Sequence, residues 1–173
     1  DMYSDSKILR KNFEYRNDDS FYIMHNKFFI FDGQKVATYT MNLSQSGSGG
    51  YDSNTGVIIN SKVIAQVFSK EFEQMFGGNF HANKTKNELI NYPLWADTVI
   101  SVYFTPSSDI LSPILDEIKN AKKEILISAF YLTHRDIISE LINAQKRGVN
   151  VVVTIDALAS YNFRERINNL REN

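Results

Sequence analysis

Hydrophobic and polar positions alternate in short runs through the first part of the chain, a spacing that is typical of β-strands. The run at 24–31 is rich in aromatic and β-branched residues and ends at Asp32-Gly33, a pair that favours a tight hairpin turn. We therefore predict a strand over 24–31 and a partner strand over 35–40. Other local patterns predict a helix at 4–11, strands at 13–16 and 21–24, and a flexible polar loop at 45–50.

We predict a short apolar strand at 56–60 and expect it to be buried. The residues after it have the spacing of a helix. Ser61 is a suitable N-cap, and Gly77-Gly78 is expected to end the helix. Apolar side chains recur three and four positions apart at Val63, Ile64, Val67, Phe68, Phe72 and Phe76.

From residue 98 onward strands alternate with helices. We predict strands at 99–104, 124–130 and 149–155, a helix that begins at Ser107 or Ser108, and another at 135–146. The run 149–155 is apolar almost throughout, so we expect a strand that is buried on both faces. The alternation predicts βαβ units and an α/β fold with a mixed, mostly parallel sheet flanked by helices. In that sheet the strand bearing His25 should lie centrally beside 149–155, with helices 61–76 and 135–146 on its faces.

A polar segment at 77–97 separates the two patterns, and we interpret it as a linker between residues 1–76 and 98–173. His81 falls in this linker, and His134 falls at the start of a predicted helix. No cluster of metal ligands accompanies either histidine, so we assign them no role.

Composition narrows the possible functions only slightly. The chain has 173 residues, a formal net charge of −1 and no cysteine. The lack of cysteine excludes disulfides and thiolate metal sites, and the near-zero charge provides no global field for holding a polyanion. No apolar run reaches the roughly 18 residues that span a bilayer. The chain begins without methionine, so we interpret it as a fragment or processed product and leave its compartment open, secreted and cell-envelope locations included.

Candidate chemistry is concentrated in the predicted strand at 24–31. On a strand, His25 and Lys27 would point to the same face, whereas Asp32 would point to the other. An imidazole beside an ammonium suits a phosphate group, because histidine can act as a nucleophile or as an acid and base while lysine stabilises negative charge. Taken alone, this pair is more typical of a strand with two solvent-facing polar side chains.

The order His25-x-Lys27-x-x-x-x-Asp32, followed by Asn42, resembles the HKD motif of the phospholipase D superfamily, with its bacterial and nuclease-type members. The similarity continues through Asn54, 61–76 and 102–156. It implies hydrolysis of a phosphodiester through a phosphohistidine on His25, with Lys27 and Asn42 holding the phosphoryl oxygens. Thr40 would add a hydroxyl, and Asp32 would support structure.

Three residues depart from the family pattern. Tyr39-Thr40 replaces the usual Gly-Ser, and Ser53 replaces a glutamate near Asn54. A bulky Tyr39 would narrow a phosphate pocket, so a non-catalytic domain for binding or assembly stays open as an alternative.

The resemblance implies no metal and no cofactor, and it implies a second HKD motif, from a homodimer mate or from a part of the protein beyond this chain. The substrate would be a nucleic acid or a phospholipid. We favour the nuclease because basic residues flank the motif and recur near the end, at Lys7, Arg10, Lys11, Arg16, Lys146, Arg147, Arg164, Arg166 and Arg171. Since the HKD half precedes the βαβ half, 1–76 would end one repeat and 98–173 would begin the next, or the two halves would form one permuted domain.

Overall fold

The computed structural model describes residues 6–18, 20–49 and 51–157. The chain divides into two compact units, one that ends at Ser108 and one that begins at Asp109. In the described residues no helix is both long enough and apolar enough to cross a bilayer.

The described residues of the first unit form three helices, a short 3₁₀ turn and five strands. In chain order they are α1 (Ser6–Asn12), β1 (Phe28–Phe31), β2 (Lys35–Tyr39), α2 (Gln45–Gly49), β3 (Gly56–Asn60), α3 (Lys62–Phe76), the 3₁₀ turn His81–Asn83, β4 (Glu88–Trp95) and β5 (Thr98–Tyr103).

Strands β1, β2 and β3 form an antiparallel sheet with β2 in the middle. The predicted turn between β1 and β2 is confirmed, because Asp32 and Gly33 both have left-handed φ angles, 53° and 62°. Gln34 N donates to Phe31 O at 2.9 Å and closes the turn. Burial agrees with the central position of β2 and the edge position of β1. Val36 on β2 is fully buried, whereas Phe29 and Phe31 on β1 are more than 40% exposed.

Helix α3 covers one face of this sheet. Ser61 caps it as predicted, and its Oγ accepts from Ile64 N at 3.4 Å. Phe68 makes edge-to-face contacts with Phe28 and Phe104, with ring centroids 5.1 and 5.0 Å apart. The core of the first unit therefore lies between α3, the sheet and the start of the segment after β5.

The segment predicted as a linker, 77–97, contains regular structure. Strand β4 lies within it and pairs antiparallel with β5 in a two-stranded sheet. Leu89, Tyr92 and Leu94 of β4 pack against the core of the first unit. These apolar side chains are spaced among polar ones, which is why composition alone concealed the strand.

The second unit contains α4 (Leu111–Asn120), β6 (Glu124–Ala129), α5 (Arg135–Lys146) and β7 (Asn150–Ile155). Strands β6 and β7 are parallel, with Glu124 opposite Asn150, and α5 connects them. This βαβ unit was predicted. Its core contains Leu141, Ala144 and Val149, with Ile118 from α4 and Ile138 and Leu132 around them.

A single, mostly parallel sheet is not confirmed. The described residues form three separate sheets, two antiparallel and one parallel, and the strand after His25 does not pair with β7. Strand β7 is buried on one face only, since Val152 is 48% exposed. Strand β3 is mostly exposed. Apolar runs correctly predicted strands β3, β5, β6 and β7, but such runs carry no information on which strands pair.

Three local predictions were also wrong. Residues 13–16 and 21–24 form no strand, and Gln45–Gly49 is a short helix instead of a loop. Hydrogen bonds to Ser44 stabilise the start of this helix. Ser44 Oγ accepts from Gly47 N at 3.2 Å, and Ser44 O accepts from Ser48 N at 3.0 Å. The last part of the predicted half 98–173, residues 158–173, lies outside the described residues.

Candidate active site

His25 lies in the extended segment just before β1, and its side chain is exposed. The predicted strand over 24–31 therefore begins only at Phe28. Hydrogen bonds to β2 extend one residue before the start of β1. Lys27 O accepts from Tyr39 N at 3.1 Å and from Thr38 Oγ1 at 3.2 Å. His25 is thus attached directly to the edge of a packed sheet without being part of it.

Lys27 is the predicted site residue that lies closest to His25. Its Nζ donates to the backbone oxygen of His25 at 2.8 Å. Burial lowers the pKa of Lys27 below its ordinary value, because the charged ammonium loses part of its hydration. A partly dehydrated cation held beside His25 attracts an anion more strongly than a fully hydrated one does.

His25 lines a cavity of about 490 Å³. Polar walls come from His81 and Lys84, and apolar walls include Tyr22, Met75 and Phe80. A cavity of this volume falls within the roughly 300–1,000 Å³ range of small-molecule sites. The geometry therefore places the candidate nucleophile at a concave surface that can hold a ligand.

His81 was assigned no role from the sequence, yet it lines the same cavity. Its Nε2 lies 2.6 Å from Asp18 Oδ2, and its ring centroid is 5.6 Å from that of Tyr22. Burial raises the pKa of Asp18, but hydrogen bonds from the Ser20 backbone and from His81 outweigh it, so the net pKa is below the ordinary value. Only a tertiary contact between distant residues reveals this pair. It ties the segment before His25 to the 3₁₀ turn.

A buried ion pair supports the cavity wall. Lys84 Nζ lies 2.5 Å from Glu71 Oε1 and also donates to Thr105 O at 2.8 Å. The second carboxylate oxygen of Glu71 accepts from Gln74 Nε2 at 3.2 Å. Since the Glu71 side chain is fully buried, these partners replace its lost hydration.

The other predicted site residues occupy different positions. Thr40 Oγ1 donates to Asn54 Oδ1 at 3.0 Å and accepts from Thr55 N at 2.9 Å, so its hydroxyl braces the segment before β3. Asn42 is exposed between β2 and α2. In the described part of the chain no hydrogen bond joins its side chain to His25 or Lys27. Asp32 lies in the hairpin turn, about 16 Å along the strand from Lys27.

Tyr39 packs on the sheet. Its ring lies over Gly56, its partner on β3, where a Cβ would clash with the ring. It also contacts Phe29 edge-to-face, with centroids 6.3 Å apart. Tyr39 is absent from the walls of the His25 cavity. The absence of a side chain at Gly56 therefore accommodates the bulk that Tyr39 adds.

A metal-binding cluster is absent from the residues described here, since no three His, Asp or Glu side chains converge. The chemical groups at the cavity are an imidazole, a second imidazole paired to a carboxylate, and an ammonium that is neutralised by Glu71. The Lys27 ammonium contacts the backbone of His25 but does not line the cavity.

Comparison with known families gives a match over most of the chain. The sequence model described as "Cardiolipin synthase, PLD-like domain" matches residues 3–76 and 114–173. No curated protein and no solved structure matches the chain. The first matched segment contains His25, Lys27, Asp32 and Asn42 in order, and the second contains the βαβ unit.

Proposed function

Because the chain belongs to the phospholipase D superfamily, we propose that it hydrolyses a phosphodiester with His25 as the nucleophile. The observation that carries this proposal is that His25 lines a cavity while Lys27, two residues further on, donates its Nζ to the His25 backbone oxygen at 2.8 Å. It supports an arrangement in which a phosphate bound beside the ammonium also faces the imidazole.

The reaction that we propose has two steps. An imidazole nitrogen of His25 attacks phosphorus, a phosphohistidine bond forms, and the bond from phosphorus to the leaving-group oxygen breaks. A proton passes to that oxygen from a second histidine. Water then attacks the phosphohistidine and gives its proton to the second histidine, so both imidazoles return to their starting state. Lys27 and Asn42 stabilise the charge on the phosphoryl oxygens, and no metal or cofactor takes part.

The second histidine belongs, in this proposal, to a second HKD motif. It would come from a homodimer mate or from another part of a longer protein in which 1–76 ends one repeat and 98–173 begins the next. The order of the two matched segments supports this frame, as the HKD half precedes the βαβ half. A twofold dimer would bring two copies of His25 to one phosphate.

For the substrate we prefer a nucleic acid, with a phospholipid as the alternative. Basic residues of the first unit, among them Lys7, Arg10, Lys11 and Arg16, support a polyanionic substrate. The basic residues expected at 164, 166 and 171 lie outside the described part of the chain.

Hydrolysis of bis(p-nitrophenyl) phosphate tests the proposal. We expect His25→Asn to reduce turnover by about 10³-fold or more, because the nucleophile is lost. His134→Asn is the matched control, since His134 is exposed at the start of α5 and makes no capping hydrogen bond with its side chain. Equal activity of His25→Asn and wild type would disprove the role of His25.

A mixing experiment tests the two-histidine arrangement. Excess His25→Asn chains added to wild type should suppress turnover beyond simple dilution, since mixed dimers hold one competent histidine. Full activity in a chain that light scattering shows to be monomeric would overturn the homodimer. A folded dimer that hydrolyses neither plasmid DNA nor phosphatidylcholine vesicles would favour a non-catalytic domain.

A further inference from the structure

A second cavity of the first unit is lined by two arginines. It has a volume of about 540 Å³, and its walls are formed by Arg10, Tyr15, Arg16, Asn17, Gly78 and Phe80. No acidic side chain is among them. Phe80 also lines the His25 cavity, so the two cavities are neighbours.

Both guanidinium groups are supported by their surroundings. Arg10 Cζ lies 5.4 Å from the centroid of the Tyr15 ring, within the range of cation–π contacts. Arg16 approaches the backbone at Gly78 so closely that a Cβ there would clash with the guanidinium. Groups that are already supported lose less conformational freedom when a ligand binds.

The two arginines of this cavity have no acidic partner among the described residues. Within the described part of the chain, neither Arg10 nor Arg16 forms an ion pair with a carboxylate. A structural role can explain the charge of Arg10, because Arg10 lies in the last turn of α1 and cations are favourable at a helix C-terminus. The same role does not explain the charge of Arg16, which lies beyond the end of that helix. Two cations that share a cavity favour the binding of an anion.

We propose that Arg10 and Arg16 form a phosphate-binding subsite, which takes a phosphate group next to the one that reacts at His25. Guanidinium groups suit this ligand because they donate paired hydrogen bonds to phosphate oxygens. Asn17 adds a further donor, since its Oδ1 already accepts from the Tyr15 hydroxyl and its Nδ2 remains. The place of the subsite in substrate recognition rests on the proposed function, whereas binding of the anion does not.

Calorimetric titration with inorganic pyrophosphate tests binding without requiring activity. We expect Arg10→Gln/Arg16→Gln to weaken the affinity at least tenfold. Lys62→Gln is the matched control, because Lys62 is an exposed cation at the start of α3 in the same unit but lines neither cavity. Arg16→Lys keeps the charge but loses the paired donors, and should show an intermediate affinity in a chain with native circular dichroism. Equal affinity of wild type and the double variant would overturn the subsite.

Steady-state kinetics then identify the source of the phosphate. With a 5′-phosphorylated dinucleotide, the double variant should raise KM at least fivefold and leave kcat unchanged, while bis(p-nitrophenyl) phosphate, which carries one phosphate, should show no change. If the double variant raises KM only for vesicles that contain phosphatidylinositol phosphate, the subsite is supported and its phosphate comes from a lipid headgroup. Unchanged KM for both extended substrates would overturn its role in recognition. If the double variant loses pyrophosphate binding while the wild-type chain hydrolyses none of these substrates, the subsite is supported and the proposed hydrolase is contradicted.

Discussion

The two compact units of this chain bury different kinds of groups. In the first unit, Glu71 and Lys84 form an ion pair with side chains 0% and 4% exposed, beside a cavity that contains His25. In the second unit, the comparable pair of Glu140 and Arg147 lies at the surface, with side chains 18% and 37% exposed. The core of the second unit is otherwise aliphatic, built around Leu141 and Val149.

Backbone geometry shows the same contrast. Every non-glycine residue with a left-handed φ in the described part of the chain lies in the first unit: Asp32, His81, Asn91 and Ala96. His81 lines the cavity, so unfavourable backbone geometry and buried charge occur in the same region as the candidate chemistry. The described residues of the second unit follow regular βαβ rules. Both cavities described above are lined by residues of the first unit, which also contains the candidate residues His25 and Lys27.

The largest effect should come from breaking the buried ion pair. Glu71→Gln leaves the Lys84 ammonium buried without a counter-charge, so we expect a loss of about 3–5 kcal/mol in the free energy of unfolding. Glu140→Gln in the second unit should cost less than about 1 kcal/mol, because water screens the partly exposed pair. Hydrogen exchange resolved by unit measures both. Similar losses of stability in the two units would contradict the difference in burial between the two ion pairs.

The next effect concerns charge beside His25. Lys27→Met should lower turnover of bis(p-nitrophenyl) phosphate by about 10²–10³-fold, because it removes a cation that stabilises the transition state. Lys122→Met, at an exposed lysine of the second unit, should leave turnover unchanged. If both substitutions lowered turnover equally, general loss of positive charge would explain the result and Lys27 would have no special role.

A smaller effect separates two glycines with left-handed φ. Gly78 and Gly148 have φ angles of 97° and 90°, so alanine at either position should cost about 1–2 kcal/mol from backbone strain. Only Gly78→Ala also meets the Arg16 guanidinium, whereas a Cβ at Gly148 meets open space. We therefore expect Gly78→Ala, but not Gly148→Ala, to weaken pyrophosphate binding as measured by calorimetry. Weakening by both variants would point to a global change.

The smallest effect is a pH dependence in the first unit. The folded-state pKa of Asp18 lies below the ordinary value of 3.8, so the group stabilises the fold above the ordinary pKa, and this stability is lost as pH falls through the folded pKa. Asp18→Asn should lower the urea midpoint at neutral pH, and its difference from wild type should shrink at a pH below the folded-state pKa of Asp18, where the wild-type carboxyl is also uncharged. Asp116→Asn, at an exposed aspartate of the second unit, should leave the midpoint unchanged at both pH values. A difference for Asp18→Asn that persisted to low pH would argue against a charged Asp18.

Local structure could be predicted where it depends on short-range interactions. The turn at Asp32-Gly33, the cap at Ser61 and helix α5 were all predictable, because each is specified by neighbouring residues. The order of His25, Lys27, Asp32 and Asn42 likewise identified the family, which the match over residues 3–76 and 114–173 confirms.

Other features depended on contacts between residues far apart in the chain. Strand pairing divided an expected single sheet into three, since an apolar run reports burial but not its partner. The pairing of His81 with Asp18 joins residues separated by 63 positions, and no local pattern marks it. The sequence by itself therefore determined the family, the helices α3 and α5, and the candidate nucleophile. Only the tertiary structure decided what surrounds that nucleophile, because packing brings together groups that have no relation along the chain.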